Sequence, residues 1–287
     1  MTLVKGARVL RALVAVGVLG ALAGAPSASG EVEPQPAASQ ESGSVRLYVL
    51  DCGYIFMVDE ILEILSLAPD EVPSRDMAVP CYLVEHPRGT LVWDTGLPFA
   101  PEAENTLESQ LAEIGYAFGD ITYVAMSHMH GDHAGNANAF KDSIWLAREA
   151  EREYAFSGET GGVGWGTPEI YSELENSETI VIEGDDDHDV FGDGRVVIVS
   201  TPGHTPGHQV LFVDLAETGP IVLSGDLYHT APSYELRRVP TFNFDEAQTR
   251  ASFEKLDAFM EETGAELWIE HDHAHHESLR KAPEYYP

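Results

Sequence analysis

The segment from Ser127 to Asn136, SHMHGDHAGN, places three histidines and one aspartate within six positions, at His128, His130, Asp132 and His133. Such a cluster either binds metal ions together with distant partners or forms a solvated polar turn. Two histidines separated by one residue can converge on one cation, while the adjacent Asp-His pair can face a second. Four donors do not complete two metal sites, so the choice depends on donors elsewhere in the chain.

Three further candidate donors each follow an apolar, strand-like run. His204 lies in the turn TPGH, Asp226 follows the run IVL, and His271 follows the run LWIE. Polar residues at strand ends of layered α/β folds assemble in loops at one edge of a sheet. A carboxylate such as Asp226 can bridge two cations, which together lower the pKa of a shared water and polarise a carbonyl or phosphoryl oxygen. The pattern therefore predicts a dinuclear metallohydrolase.

Strand and helix patterns alternate along the rest of the chain without an internal repeat. Apolar runs and turn residues predict strands at 45–50, 78–85, 90–94, 121–127, 143–147, 179–182, 196–200, 209–213, 221–224 and 266–270. Helical spacing predicts a helix at 102–114 and another from the cap Asp245 to Gly264. The segment 157–167 is too rich in glycine for a helix or a strand, so we predict that it is a mobile loop. This order predicts an α/β layered domain with sheets inside and helices outside.

The first residues have the composition of an export signal. Lys5, Arg8 and Arg11 precede an apolar and small-residue run at 12–25. A membrane-spanning helix needs about 20 apolar residues, and this run is shorter. We therefore predict a signal peptide at 1–29 and a secreted protein of the periplasm or the medium, with no stable membrane insertion after signal removal.

The segment that follows the predicted signal differs from the rest of the chain in composition. Residues 30–44 are rich in Pro, Ser, Glu and Gln and contain little that could be buried, which predicts a disordered spacer. The remaining residues, 45–287, then form one hydrolase domain. Signal removal takes away three of the 16 basic residues and none of the 48 acidic ones, so the formal charge of −32 becomes −35. This negative field disfavours a nucleic-acid partner.

The chain contains two cysteines, Cys52 and Cys81, and both lie in apolar runs. Such residues are more often buried small hydrophobic side chains than a disulfide, although export makes a bridge an open alternative. A similar choice concerns Met57, Ile61, Leu62 and Leu65. Their spacing is typical of core packing, while a groove for an acyl chain is the alternative.

His128, His130, Asp132 and His133 match the signature H-x-H-x-D-H, and on this basis the chain resembles the metallo-β-lactamase superfamily from about residue 45 to the C-terminus. The resemblance implies a four-layer αβ/βα sandwich with metals at the sheet edges. Within the superfamily the chain is most similar to the N-acyl homoserine lactonases, which are quorum-quenching enzymes. The similar segments are VPCYLVEHPRGTLVWDTGLP with its Asp-Thr-Gly turn at 94–96, TPGHTPGHQVLFV and IEHD.

The resemblance also implies a set of metal ligands for two divalent ions. The segment IEHD favours His271 over His273 as the last of them. The implied assignment is His128, His130 and His204 on one metal, Asp132, His133 and His271 on the other, and Asp226 bridging the two. Zinc is the default for such donors, while iron, cobalt and manganese stay alternatives.

The mechanism implied by the resemblance is attack of a metal-bridging hydroxide on the carbonyl of a small-molecule lactone, with Asp132 carrying a proton to the leaving alkoxide. A tyrosine three residues after the bridging aspartate contacts the lactone in well-known members. Here that position is His229, and Tyr228 lies one residue earlier. We expect one of these two to help hold the substrate oxygen. The histidine at position 229 affects the assignment of the substrate more than the assignment of the metal ligands.

Other activities fit the same donors. An aryl-ester or organophosphate hydrolase would use a similar two-metal centre. Many β-lactam hydrolases of this fold carry a cysteine where Asp226 stands, and the second half of this chain has no cysteine. A single-iron persulfide dioxygenase would not use seven ligands, and a metal-binding module without activity would lack an open pocket. The acyl-chain preference and the existence of a homodimer stay open.

Overall fold

The computed structural model describes residues 43–98, 105–158 and 168–287. The predicted signal peptide, nearly all of the spacer and most of the glycine-rich loop lie outside these ranges, so they stay predictions. Within the described ranges, no helix combines the length and the apolar character needed to cross a membrane.

Two β-sheets lie at the centre of the described domain. The first sheet contains, in spatial order, β1 (Arg46–Phe56), β2 (Asp76–His86), β3 (Gly89–Trp93), β4 (Tyr123–Ala125), β5 (Ile144–Arg148) and β6 (Thr179–Ile182). The second contains, in spatial order, β11 (Glu266–Trp268), β10 (Gly219–Leu223), β9 (Gln209–Leu215), β8 (Val196–Ser200) and β7 (His188–Asp189). Strands β1 to β3 pair antiparallel, whereas β3 to β6 run parallel.

Helices and short 3-10 turns connect the strands. The α-helices are α1 (Asp59–Ile64), α2 (Leu107–Glu113), α3 (Gly131–Ala134), α4 (Glu149–Phe156), α5 (Ala231–Glu235), α6 (Glu246–Thr263) and α7 (His273–Ser278). The 3-10 turns are Phe118–Asp120, Ala137–Phe140, Pro168–Ile170, Ser172–Asn176 and Gly225–Leu227.

Three apolar clusters show how these elements are layered. Side chains from both sheets, such as Leu47, Trp93, Leu211 and Trp268, form the core between the sheets. Other side chains of the first sheet pack with those of α2 and α4, including Leu111 of α2. The outer face of the second sheet packs against α6. The predicted four-layer αβ/βα sandwich is therefore confirmed.

The ends of the predicted elements differ from the structure where local chemistry intervenes. The side chain of Asp245 accepts a hydrogen bond from the amide of Gln248, and Gly264 ends α6 with a φ of 70°, as predicted. The helix predicted at 102–114 begins only at Leu107, because Thr106 caps it. The strand predicted at 121–127 ends at Ala125, where the chain turns away from the sheet.

A disulfide joins Cys52 and Cys81, so the interpretation of both as free apolar side chains is wrong. Both cysteines are fully buried and tie β1 to its neighbour β2. A Cβ atom added to Gly96 would lie 2.3 Å from the Cβ of Cys52, so the bridge packs directly against this glycine turn.

We expect replacement of both Cys52 and Cys81 by serine to lower the free energy of unfolding by about 2–4 kcal/mol, because the bridge restricts a loop of the unfolded chain. Urea unfolding of the variant and of the oxidised wild type measures this difference. Equal midpoints for the two proteins would contradict a stabilising role.

Candidate metal centre

The SHMHGDHAGN segment leaves the first sheet directly after β4. The backbone amide of Ser127 donates to Asp94 Oδ1 over 2.6 Å, and its hydroxyl lies 3.0 Å from Asp94 Oδ2. Asp94 follows β3 and adopts a left-handed φ of 56°, an uncommon conformation for this residue type that is frequent at functional sites. The short helix α3 then begins at Gly131 and carries Asp132 and His133.

Four side chains from both sheets form what we call the first donor group: His128, His130, His204 and Asp226. One ligand atom from each residue lies within 4.8 Å of the others. His204 Nε2 is 3.2 Å from His128 Nε2 and 3.1 Å from His130 Nδ1. It is also 3.2 Å from Asp226 Oδ2. Sequence reasoning predicted each of these residues, and the structure brings them together.

The second donor group consists of Asp132, His133 and His271, which are all buried. His271 Nε2 lies 3.7 Å from Asp132 Oδ2, and His133 Nε2 lies 3.8 Å from the same oxygen. The other oxygen of the Asp226 carboxylate, Oδ1, faces this group at 3.2 Å from His133 Nε2 and 3.0 Å from His271 Nε2. Asp226 therefore presents one oxygen to each group.

The two groups fit metal ions. Donors that share one tetrahedral zinc ion at about 2.0–2.2 Å lie roughly 3.3–3.6 Å apart, and the separations above fall close to that range. Among the residues that the structure describes, several buried polar atoms of the two groups have no well-aligned hydrogen-bond partner, including His133 Nε2, Asp226 Oδ1 and His271 Nε2. Since buried polar atoms are nearly always satisfied, these atoms are the ones available for metal coordination.

Hydrogen bonds on the outer side of the rings fix their orientation. His133 Nδ1 lies 3.0 Å from Asp94 Oδ2, and His204 Nδ1 lies 2.9 Å from Asn243 Oδ1. His271 Nδ1 donates to the backbone carbonyl of Ala78. Such partners set the tautomer and aim the inner nitrogen at the site. Sequence reasoning missed the partners of His204 and His271, since no motif marks either of them.

The electrostatics of the centre follow from burial and mutual contact. Burial opposes the charged form of Asp226, but the surrounding histidines outweigh it and hold the pKa of that carboxyl well below its usual value. Burial, with the neighbouring His133 and His130, holds the pKa of His128 well below its usual value. Burial also acts on His271, yet the charge of Asp226 raises its pKa to about 9.

His208 and His273 lie outside both donor groups. His208 Nδ1 donates to the carbonyl of Thr201, and its Nε2 accepts from the backbone amide of Asp226. His208 thereby supports the loop that carries Asp226. The ring of His273 packs against Tyr54, which agrees with the choice of His271 as the ligand.

The structure separates the two candidate substrate-binding residues. His229 is 3% exposed, and its Nε2 lies 3.0 Å from Asp226 Oδ2. Tyr228 instead stacks on Phe253 at 4.5 Å between ring centroids, and its hydroxyl accepts from Arg237. The prediction that Tyr228 could hold the substrate oxygen is wrong, because its side chain belongs to the core under α6.

Apolar side chains form a wall of the pocket at the centre. The pocket is lined by Ile55, Ile61, Ile64, Leu65, Met77 and Phe242 together with His130, Asp132, Asp226 and His229. Met57 and Leu62 are core residues, as their spacing predicted. Ile61 is half-buried and lines the pocket, while the groove for an acyl chain stays a prediction.

A family model described as the metallo-beta-lactamase superfamily matches residues 75–263, a segment that carries strands β2 to β10 and six of the seven predicted donors. The chain belongs to the metallo-beta-lactamase superfamily. This assignment agrees with the fold and with the position of the donors at the sheet edges.

Named relatives within this superfamily are N-acyl homoserine lactonases. The chain is 28% identical to N-acyl homoserine lactonase AttM of Azorhizobium caulinodans and 28% identical to N-acyl homoserine lactonase AiiA of Bacillus thuringiensis subsp. kurstaki. Each match covers 84% of this chain and 98% of the relative. A similar solved structure is an N-acyl homoserine lactone hydrolase with N-hexanoyl-L-homoserine bound at its catalytic metal centre. Its TM-score is 0.68 at 27% identity, over 84% of this chain and 99% of that one.

We expect added Zn²⁺ to raise the melting temperature of the metal-free protein, because an ion that binds only the folded state stabilises it by about 2.7 kcal/mol at a hundredfold excess over its Kd. Replacing Asp226 by alanine should reduce this response, since both donor groups lose their shared carboxylate. Thermal unfolding with and without Zn²⁺ measures the effect, with Asp214→Ala as a control at an exposed position. An unchanged response in the Asp226 variant would contradict the assignment.

Proposed function

We propose that this chain is a dinuclear metal-dependent hydrolase that opens the lactone ring of N-acyl homoserine lactones. The observation that carries the proposal is the position of Asp226, whose two carboxylate oxygens face two separate donor groups in a pocket with an apolar wall. The lactone itself is supported by the lactonase relatives, which match this chain over nearly their whole length.

We assign the first donor group to one ion and the second to another, with zinc as the ion that His and Asp donors favour. Two bound divalent ions supply an activated water as nucleophile and polarise the carbonyl that it attacks. The protein holds the donors in place through the outer hydrogen bonds of their rings, so little rearrangement accompanies binding.

Asp132 and His229 carry the remaining chemistry in this proposal. Asp132 Oδ1 is buried in the pocket and has no hydrogen-bond partner among the described residues, so it is the oxygen that can take a proton and deliver it to the leaving alkoxide. His229 Nε2 is also buried and lines the pocket, and within the described part of the chain it lacks a well-aligned hydrogen-bond partner. It can therefore hold an oxygen of the substrate beside the Asp226 carboxylate.

The apolar wall suits an acyl chain. Ile55 and Ile61 are half-buried and line the pocket that also contains Asp132 and His229. Each CH₂ group removed from water stabilises a bound ligand by about 0.8 kcal/mol. A substrate with a polar ring and an apolar tail matches these two sides of the pocket.

The other activities that fit the donors have less support. The two relatives described above are lactonases, and this chain matches each of them over 98% of its length. Their similarity does not favour an aryl-ester, organophosphate or β-lactam substrate. Asp226 occupies the bridging position where many β-lactam hydrolases have cysteine. The two donor groups argue against a single-iron oxidoreductase, and the lined pocket argues against a metal-binding module without activity.

Hydrolysis of a short-chain and a long-chain N-acyl homoserine lactone by metal-loaded protein tests the proposal. Paraoxon, an aryl acetate and a β-lactam serve as competing substrates under the same conditions. We expect the lactones to have the highest kcat/KM and Asp226→Ala to abolish their turnover. A clear preference for a phosphotriester or an aryl ester would leave the metal centre intact but overturn the lactone assignment.

We expect His229→Ala to lower kcat/KM for lactones by about 10- to 100-fold while both metals stay bound, because an oriented polar contact with the reacting ester is lost. His229→Tyr should recover much of this loss, since a tyrosine at the position can also donate to the substrate oxygen. Steady-state kinetics with metal analysis measure both effects. Full activity of His229→Ala would remove the role assigned to His229.

A further inference from the structure

A buried carboxylate outside both donor groups connects the loops that carry the first of them. Glu151 lies on α4 and is 5% exposed. Its Oε1 accepts from the backbone amide of Met129 over 2.8 Å. Its Oε2 accepts from the hydroxyl of Thr205 over 2.7 Å and from the backbone amide of Gly207 over 3.0 Å. Three donors therefore converge on one side chain.

These contacts lie next to the metal-binding histidines along the chain. Met129 separates His128 from His130 in the loop after β4, which belongs to the first sheet. Thr205 directly follows His204 in the loop after β8, which belongs to the second sheet. Glu151 thus joins two loops that approach each other from opposite sheets. It hydrogen-bonds to the loop that carries His128 and His130 and also to the loop that carries His204.

The close approach of Gly207 to α4 shows that this arrangement is tightly packed. A Cβ atom added to Gly207 would lie 2.4 Å from the backbone nitrogen of Glu151. Burial raises the pKa of Glu151 above its usual value and outweighs the hydrogen bonds from Thr205, Met129 and Gly207, which lower it. A buried carboxyl is costly unless such donors satisfy it, so its presence here calls for an explanation.

We propose that Glu151 is a positioning residue for the first donor group, where it holds His128 and His130 at the distance from His204 that one metal ion requires. The inference rests on the proposed metal centre. Glu151 belongs to neither donor group and does not line the pocket, so it acts through the backbone of the two loops. A carboxylate suits this task because each of its two oxygens accepts hydrogen bonds, one from each loop.

Glutamine at position 151 tests this role with little change in volume. Its amide has one acceptor oxygen, so its NH₂ group would face either the amide of Met129 or the donors of Thr205 and Gly207. One loop would then lose its anchor. Glu153→Gln provides the matched control, because Glu153 is exposed on the same helix. Thr205→Val removes a single hydrogen bond and serves as a milder second variant.

The measurement is competition with a chromophoric chelator, which gives the dissociation constants of the two Zn²⁺ ions in the full chain, together with the visible spectrum of the Co²⁺-loaded protein. For Glu151→Gln we expect one dissociation constant to rise by about tenfold or more and the other to change by less than about threefold. The cobalt bands of the affected site should shift. Thr205→Val should show the same selectivity with a smaller change, and Glu153→Gln should match the wild type.

Two unchanged dissociation constants and an unchanged cobalt spectrum in Glu151→Gln would overturn the inference while leaving the proposed function intact. Wild-type protein that binds no metal would overturn both. If Glu151→Gln fails to fold, Thr205→Val decides the question, because equal weakening of both ions in that variant would show general destabilisation in place of positioning.

Discussion

The buried carboxylate of Asp226 is the group on which the arrangement of the site depends. Its two oxygens lie within 3.6 Å of nitrogens from His128, His133, His204, and His271. A carboxylate removed from water is costly unless its neighbours compensate it, and here the compensation comes from ring nitrogens that also form two ion-binding groups. Asp226 therefore lies between the two groups and contacts both of them.

The sandwich architecture supplies the loops that surround this aspartate. Donors leave the first sheet after β4 and the second sheet after β8, β10 and β11. Gln209, at the start of β9, ties the two sheets together at this edge. Its backbone amide donates to the carbonyl of Ser127, and its side-chain NH₂ group donates to the carbonyl of Met126. Glu151 and His208 add further links, so backbone contacts fix the separation of the donors before any ion binds.

Much of this site could be predicted from the sequence because its chemistry is local. The H-x-H-x-D-H spacing and donors at strand ends identified every residue of both groups. The sequence did not show which of Tyr228 and His229 lines the pocket. The two residues are adjacent, and only the conformation of the loop after Asp226 decides which side chain faces the donor groups. No sequence signal marks the carbonyl of Ala78 or the side chain of Asn243 as a partner of a ligand.

The fold shows the same distinction between local and long-range information. The cap at Asp245 and the glycine at Gly264 act within a few residues, so the bounds of α6 were predictable. Pairing of Cys52 with Cys81 depends on the register of β1 against β2 across 29 residues, which spacing alone does not determine. Strand β4 likewise ends two residues before Ser127, which hydrogen-bonds to Asp94 in the segment after the neighbouring strand β3.

Anomalous X-ray diffraction from crystals of the metal-loaded protein tests the central claim most directly. Data collected on both sides of the absorption edge of the bound metal locate each ion independently of any assumed ligand set. We expect two peaks, one at each donor group, with the carboxylate of Asp226 between them. A single peak, or peaks at which Asp226 is not a shared ligand, would contradict the dinuclear centre.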